Sequence, residues 1–189
     1  MSVQEIKVWD LFVRLFHWSL VVAFSIAYLT EDDVLDLHVI AGYAVLGLLL
    51  LRLIWGVIGP RYARFSDFVY RPTVVKAFIK DTLQLKARRY LGHNPAGGAF
   101  IVLMLLTLLL TSFTGLVIYG IEEGKGPLAM LAGSSRLLED IAEEAHEFFA
   151  NFMLLLVGIH LFGVIAESLI HKENLIKAMF TGKKPLDTP

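Results

Sequence analysis

A-H-E-F-F-A-N-F-M-L-L-L-V-G-I-H, from Ala145 to His160, is the stretch that decides the architecture. It is apolar enough to lie in a membrane, yet it is closed at either end by a histidine. Fourteen residues at ~100° each fall about 40° short of four full turns, so both imidazoles leave nearly the same helix face. At ~1.5 Å per residue they stand ~21 Å apart, within a hydrocarbon layer ~30 Å thick. One helix face thus carries two imidazoles, one toward each membrane surface.

The rest of the chain agrees with a membrane setting. Of 189 residues, 56% are hydrophobic, and mean hydropathy is +0.64. A soluble domain of this length carries more charge and less apolar surface. The net charge of −1 gives no electrostatic ground for a nucleic-acid partner. The absence of cysteine excludes disulfides, thiolate metal sites, cysteine-bound iron–sulfur clusters and covalently attached haem. The first apolar segment follows mixed charge and has no A-x-A-like cleavage site after it, so it reads as a span and not as a signal peptide.

Four stretches are long enough to cross a bilayer: about 11–29, 37–58, 97–118 and 145–170. Breakers separate them at Thr30-Glu-Asp-Asp, Gly59-Pro60, Asn94-Pro95 and Gly124-Lys-Gly-Pro127. Between Gly59 and Asn94 lie Arg61, Arg64, Arg71, Lys76, Lys80, Lys86, Arg88 and Arg89, against only Asp67 and Asp81. The turn before the second span carries Glu31, Asp32, Asp33 and Asp36 and no base. The Tyr119–Ala145 loop holds six acids against Lys125 and Arg136, and the C-terminal tail adds Lys172, Lys177, Lys183 and Lys184. The positive-inside rule then places both termini and the basic loop in the cytoplasm. Within that loop Val74, Val75, Phe78, Ile79, Thr82 and Leu83 recur on one helical face, as in a helix lying along the membrane surface. The expected fold is all-α: one domain over residues 1–189, an integral membrane four-helix bundle with a cytoplasmic interfacial helix.

Topology gives each histidine a depth. His38 opens the second span and His146 opens the fourth, both at the outer end. His17 lies about two turns in from the cytoplasm, and His160 some two to three turns from the cytoplasmic exit. Charge and histidine position are independent inputs, and together they pair His38 with His146 and His17 with His160. A membrane imidazole costs free energy unless paired or ligated. A single one serves well as a helix–helix hydrogen-bonding group, whereas four at two matched depths suit axial ligation of two haem irons. Zinc or a proton relay also uses histidines and stays open on geometry alone.

The surroundings suit a porphyrin edge. Gly42 follows His38 by four, Ala150 follows His146 by four and Gly163 follows His160 by three, although small residues also serve close helix packing. Arg14, three before His17, and Arg52, fourteen after His38, could meet haem propionates or snorkel to headgroups. His93 and His171 read as interfacial or capping residues, and Trp9, Trp18 and Trp55 as an interfacial aromatic belt.

The stretches V-W-D-L-F-V-R-L-F-H-W (Val8–Trp18), H-V-I-A-G-Y (His38–Tyr43), R-L-I-W-G-V-I-G (Arg52–Gly59), G-H-N-P-A-G-G (Gly92–Gly98) and H-K-E-N-L-I-K-A-M-F-T-G-K-K (His171–Lys184) resemble the prokaryotic cytochrome b561 family and its relatives among the b-type cytochrome subunits of nickel–iron hydrogenases. The resemblance spans nearly the whole chain. It implies four membrane helices holding two non-covalent b haems, with His17, His38, His146 and His160 at the ligand positions and none on the third helix. It also implies exchange with a quinone, ubiquinone or menaquinone.

The expected function is transmembrane electron transfer between the quinone pool and a periplasmic redox partner. The outer turns hold ten acids against two bases, which favours a basic partner such as a small cytochrome. The same field repels superoxide and ranks a superoxide:ubiquinone oxidoreductase lower. A histidine-based metal or proton transporter is the reading of another class, and it lacks the internal repeats and broken helices expected of one. Self-association of the chain is compatible with all three.

Overall fold

The computed structural model describes residues 4–31, 34–84 and 86–186. Asp32 and Asp33, counted above in the acidic turn, lie outside the described residues. The chain is an all-α membrane protein, with 75% of the described residues helical. Among the described residues four helices are long and apolar enough to cross a membrane: α1 (Leu11–Leu29), α2 (Leu35–Ile58), α5 (Pro95–Glu122) and α6 (Arg136–Ile170). Only 11–22% of each apolar window is buried inside the chain. Side chains such as Leu29, Val57 and Phe162 are left exposed, and in a membrane lipid covers them. Between α2 and α5 lie two short helices, α3 (Phe65–Phe68) and α4 (Pro72–Leu83), and α7 (Leu175–Thr181) follows α6.

Local chemistry sets the helix ends. The Asp10 carboxylate accepts from the Val13 amide at 3.0 Å and caps α1. Pro60 stops α2, whose last turn closes on Gly59 N–H donating to the Trp55 carbonyl at 2.8 Å. Asn94 caps α5 by accepting from the Gly97 amide at 2.6 Å, with Pro95 at the first helical position. Asn174 caps α7 in the same way, and Gly182 ends it at φ +79°. A Cβ at Gly182 would also stand 2.4 Å from the Trp9 carbonyl oxygen.

The first helix begins and ends as the sequence suggests, and the second and third are longer by a few residues. The largest difference is α6, which begins at Arg136 and not near Ala145. Its first turns carry Glu139, Asp140, Glu143 and Glu144, so they are helical without being apolar, and hydropathy does not register them. At ~1.5 Å per residue, 35 residues span ~52 Å, well beyond the hydrocarbon layer. The helix expected in the basic loop is α4, but its apolar face divides. Phe78 is buried, while Val74, Ile79 and Leu83 are exposed.

The chain divides into two compact units. One comprises Met1–Trp18, Leu51–Leu103 and Val157–Pro189, and the other Ser19–Leu50 and Met104–Leu156. In the first, β1 (Glu5–Lys7) pairs antiparallel with β2 (Lys183–Pro185), Ile6 opposite Lys184. Glu5–Lys7 and Lys183–Pro185 therefore lie together, on one side of any membrane the chain crosses. Val8, Trp9, Val13, Ala63 and Ala178 form a small core beside this clasp. Trp9 is thus an interior residue and no part of an aromatic belt. A buried ion cluster ties the clasp to the chain that follows α6: Lys184 Nζ lies 3.1 Å from a Glu173 carboxylate oxygen, and Arg89 Nε donates to Glu173 at 2.9 Å. Arg89 also donates to the carbonyls of Pro185 at 2.6 Å and Leu186 at 3.0 Å. Burial pushes the Glu173 pKa up, but the Arg89 hydrogen bond and the Lys184 charge outweigh it and hold the carboxyl below its ordinary value.

Candidate functional site

Each of the two units holds one pair of histidines. In the second unit, His38 and His146 face each other with ring centres 6.0 Å apart and planes at 73°. His38 enters on the first turn of α2, where its amide donates to the Val34 carbonyl at 3.0 Å. Its Nδ1 lies 2.8 Å from the Ala27 carbonyl oxygen. His146 Nδ1 lies 2.9 Å from the Thr111 carbonyl oxygen and 3.1 Å from Thr114 Oγ1. A carbonyl only accepts, so in both rings Nδ1 carries the proton. That leaves Nε2 with its lone pair free to bind a metal.

The space between the rings is a cavity of about 70 Å³ lined by His38, Gly42, Tyr43, Gly115, Tyr119 and His146 among others. Gly42 opens onto it: a Cβ there would meet nothing within 4 Å. Gly115 is the tighter position, because a Cβ would stand 2.9 Å from His146 Cε1. Gly115, Thr111 and Thr114 all lie on the third membrane helix, which carries no histidine and which sequence reasoning left without a role. A signal was present in the run T-S-F-T-G (Thr111–Gly115), small and polar within a leucine-rich span. Ala150, expected beside His146, is buried.

In the first unit, His17 and His160 have ring centres 6.4 Å apart at 48°. Trp18 packs edge-on against the His17 ring at 4.9 Å and stacks on Phe180 at 4.4 Å. Neither imidazole hydrogen-bonds to a described residue, and His17 Nδ1 is buried without a partner. Arg52 is only 3% exposed, which rules out snorkelling to headgroups. Its guanidinium lies over the Phe65 ring at 5.0 Å and the Phe68 ring at 5.9 Å, with Nη1 buried and unpaired. Phe68 in turn contacts His93, whose ring also meets Trp9, both at 4.6 Å. His93 is held neutral, its pKa pushed down to about 3 by burial first and then by the charges of Arg52, Lys184 and His160. Its Nδ1 is buried and unpaired. Arg14 Nη1 donates to the Phe180 carbonyl near the end of α7, and its Nε is buried without a hydrogen-bond partner. His171 lies 3.3 Å from the Glu167 carboxylate, as an end-of-helix residue would. Gly163 shows open space at its Cβ position.

Both pairs fit a shared metal. An imidazole nitrogen lies ~1.1 Å from its ring centre and binds a metal at ~2.0–2.1 Å, so two imidazoles on opposite sides of one ion hold their centres ~6.3 Å apart, against ~5.1 Å at a tetrahedral angle. The observed 6.0 and 6.4 Å bracket that value. With no thiolate in the chain, the donors each pair could offer are two imidazoles. The unpaired Arg52 donor supplies what a buried carboxylate of a bound group would need.

Comparison with known proteins points the same way. The family model described as prokaryotic cytochrome b561 matches residues 8–182. A probable Ni/Fe-hydrogenase B-type cytochrome subunit from Rhizobium leguminosarum bv. viciae is 24% identical, over 96% of this chain and 89% of its own length. Another of the same description, from Azotobacter chroococcum mcd 1, is 26% identical over 77% of this chain and 65% of its own. No solved structure matches.

Proposed function

The chain belongs to the prokaryotic cytochrome b561 family, a family of haem b electron-transfer proteins of the membrane, and from that premise we propose that it carries two haems and moves electrons across the bacterial inner membrane between the quinone pool and a periplasmic redox partner. His38 and His146 hold one haem, His17 and His160 the other. The observation that carries this reading is the pair of ring-centre distances, 6.0 and 6.4 Å, each suited to one iron between two imidazoles. When bound, haem b with two histidine ligands is a one-electron carrier with no coordination position left for oxygen or substrate.

The protein's own work is positioning. Ala27 and Thr111 carbonyls fix the tautomers of His38 and His146. Gly42 would leave room for a porphyrin edge, Gly115 leaves room for the His146 ring, and Arg52 would offer a donor to a propionate. Both termini and the basic loop face the cytoplasm. The acidic turns face the periplasm, where carboxylate oxygens of Glu122, Glu139 and Glu143 lie within 4.8 Å of one another. That charge favours a redox protein with a basic face, and the names of the relatives, cytochrome subunits of a hydrogenase, support a redox-enzyme partner. The test is reduction of the haem in proteoliposomes by ubiquinol or menaquinol. The reading expects reduction by at least one of them, and a haem spectrum indifferent to both contradicts the quinone assignment.

A further inference from the structure

The two histidine pairs differ in one respect that bears directly on redox potential. His38 Nδ1 and His146 Nδ1 donate to backbone carbonyls at 2.8 and 2.9 Å, and Thr114 Oγ1 stands 3.1 Å from His146 Nδ1. His17 and His160 make no hydrogen bond to a described residue, and His17 Nδ1 is buried without one. A ring N–H that donates to an oxygen makes the opposite nitrogen more basic, and a more basic ligand stabilises the ferric state. The surrounding charge works in the same sense. The first unit holds the buried Arg52, whose Nη1 has no hydrogen-bond partner, and a cation in the same unit favours the ferrous state. The second holds the carboxylates of Glu122, Glu139 and Glu143, which favour the ferric state.

We propose that the His38/His146 site is the lower-potential of the two and that Thr114 is a positioning residue that helps set its potential through His146. The inference rests on the two-haem reading above. Thr114 suits the role by geometry. Its hydroxyl can donate to the carbonyl of Leu110 or Thr111, both at 3.0 Å, and so presents its lone pairs to His146. Gly115, next in sequence, leaves the imidazole the room to reach that position. The resulting order makes the downhill direction run from the Thr114 side to the Arg52 side.

The experiment is an optical redox titration of the haem-loaded full chain, comparing wild type with Thr114→Val, Thr114→Ser, His38→Ala and His17→Ala. The wild type should titrate in two waves. His38→Ala should remove the lower wave and His17→Ala the higher, and either variant alone assigns both. Thr114→Val, which keeps the side-chain shape, should raise the lower wave and leave the other in place, and Thr114→Ser should restore it. The inference is overturned if the lower wave belongs to His17, or if Thr114→Val leaves both waves unmoved or shifts them equally. A single wave from a chain that carries two haems also overturns the inference, whereas a wild-type chain that binds fewer than two haems, counted per chain, overturns the two-haem reading itself.

Discussion

The ring centres of His38 and His146 lie 6.0 Å apart, and each ring has its Nδ1 turned away to a backbone carbonyl, Ala27 for the one and Thr111 for the other. Such an arrangement suits two imidazoles that share one metal. The two tautomers are set, the two Nε2 atoms are free, and the lining between them includes two glycines.

Gly115 should tolerate no side chain. A Cβ there would stand 2.9 Å from His146 Cε1, so alanine must push the ring off the position that pairs it with His38. Gly115→Ala is expected to lose about half of the bound haem, with the remainder showing the redox wave of the other site. Gly42→Ala meets nothing within 4 Å and should retain both haems, whereas Gly42→Leu fills porphyrin space and should behave like Gly115→Ala. Haem content per chain, measured after purification, separates these outcomes.

Arg52→Leu should leave the chain folded and weaken one haem. The native side chain is buried with Nη1 unpaired, so removing it relieves a desolvated charge in the haem-free protein. Its value lies in the propionate it would meet, and a charged hydrogen bond of ~1.5–3 kcal/mol corresponds to a roughly 10- to 150-fold loss of affinity. Haem transfer to apomyoglobin would read this out. Faster release from the His17/His160 site alone is expected.

Glu173→Gln should loosen the clasp of the two chain ends. Glu173 and Lys184 are both buried, and removing one partner of a buried ion pair costs about 3–5 kcal/mol because the other charge is left behind. The melting temperature in detergent should fall, and proteolysis should reach the segments around Ile6 and Lys184 first. In the native chain the carboxyl titrates below its ordinary value of 4.5, so its contribution is complete above that value and is lost as the pH falls through the lower folded one.

His93 adds a second acid sensitivity of its own range. Its folded pKa of about 3 lies below the ordinary 6.5, so the unfolded chain binds the extra proton first. Stability should decline as the pH falls from 6.5 toward 3 and be unaffected by this group above 6.5. His93→Phe keeps the ring contacts with Trp9 and Phe68 and removes the titration. Melting temperatures of the two proteins should diverge over that range and run parallel above it.

The membrane helices were legible because lipid demands long apolar runs with punctuated ends, and Gly59-Pro60 and Asn94-Pro95 supply the punctuation. The start of α6 at Arg136 was not, since its charged first turns protrude beyond any apolar window. Nor was the pairing of Glu5–Lys7 with Lys183–Pro185, because strands of three residues carry no periodicity. The histidines could be paired from depth alone, as depth follows from loop charge and residue count. Their partners could not. Ala27 and Thr111 contribute carbonyl oxygens, which every residue has, and only tertiary packing selects these two. His93 looked peripheral for the same reason. Trp9, Phe68 and Arg52 surround it from three separate segments, and no local pattern joins them.

The central claim is that four histidines hold two haems in the pairs 38/146 and 17/160. Haem b counted per chain in wild type, in the four single His→Ala variants and in the doubles tests it most directly. The account predicts two haems in wild type, about one in each single variant, about one in the doubles His38→Ala/His146→Ala and His17→Ala/His160→Ala, and none in His17→Ala/His38→Ala. One haem retained in that last double, or a wild-type chain without Soret absorption, contradicts it.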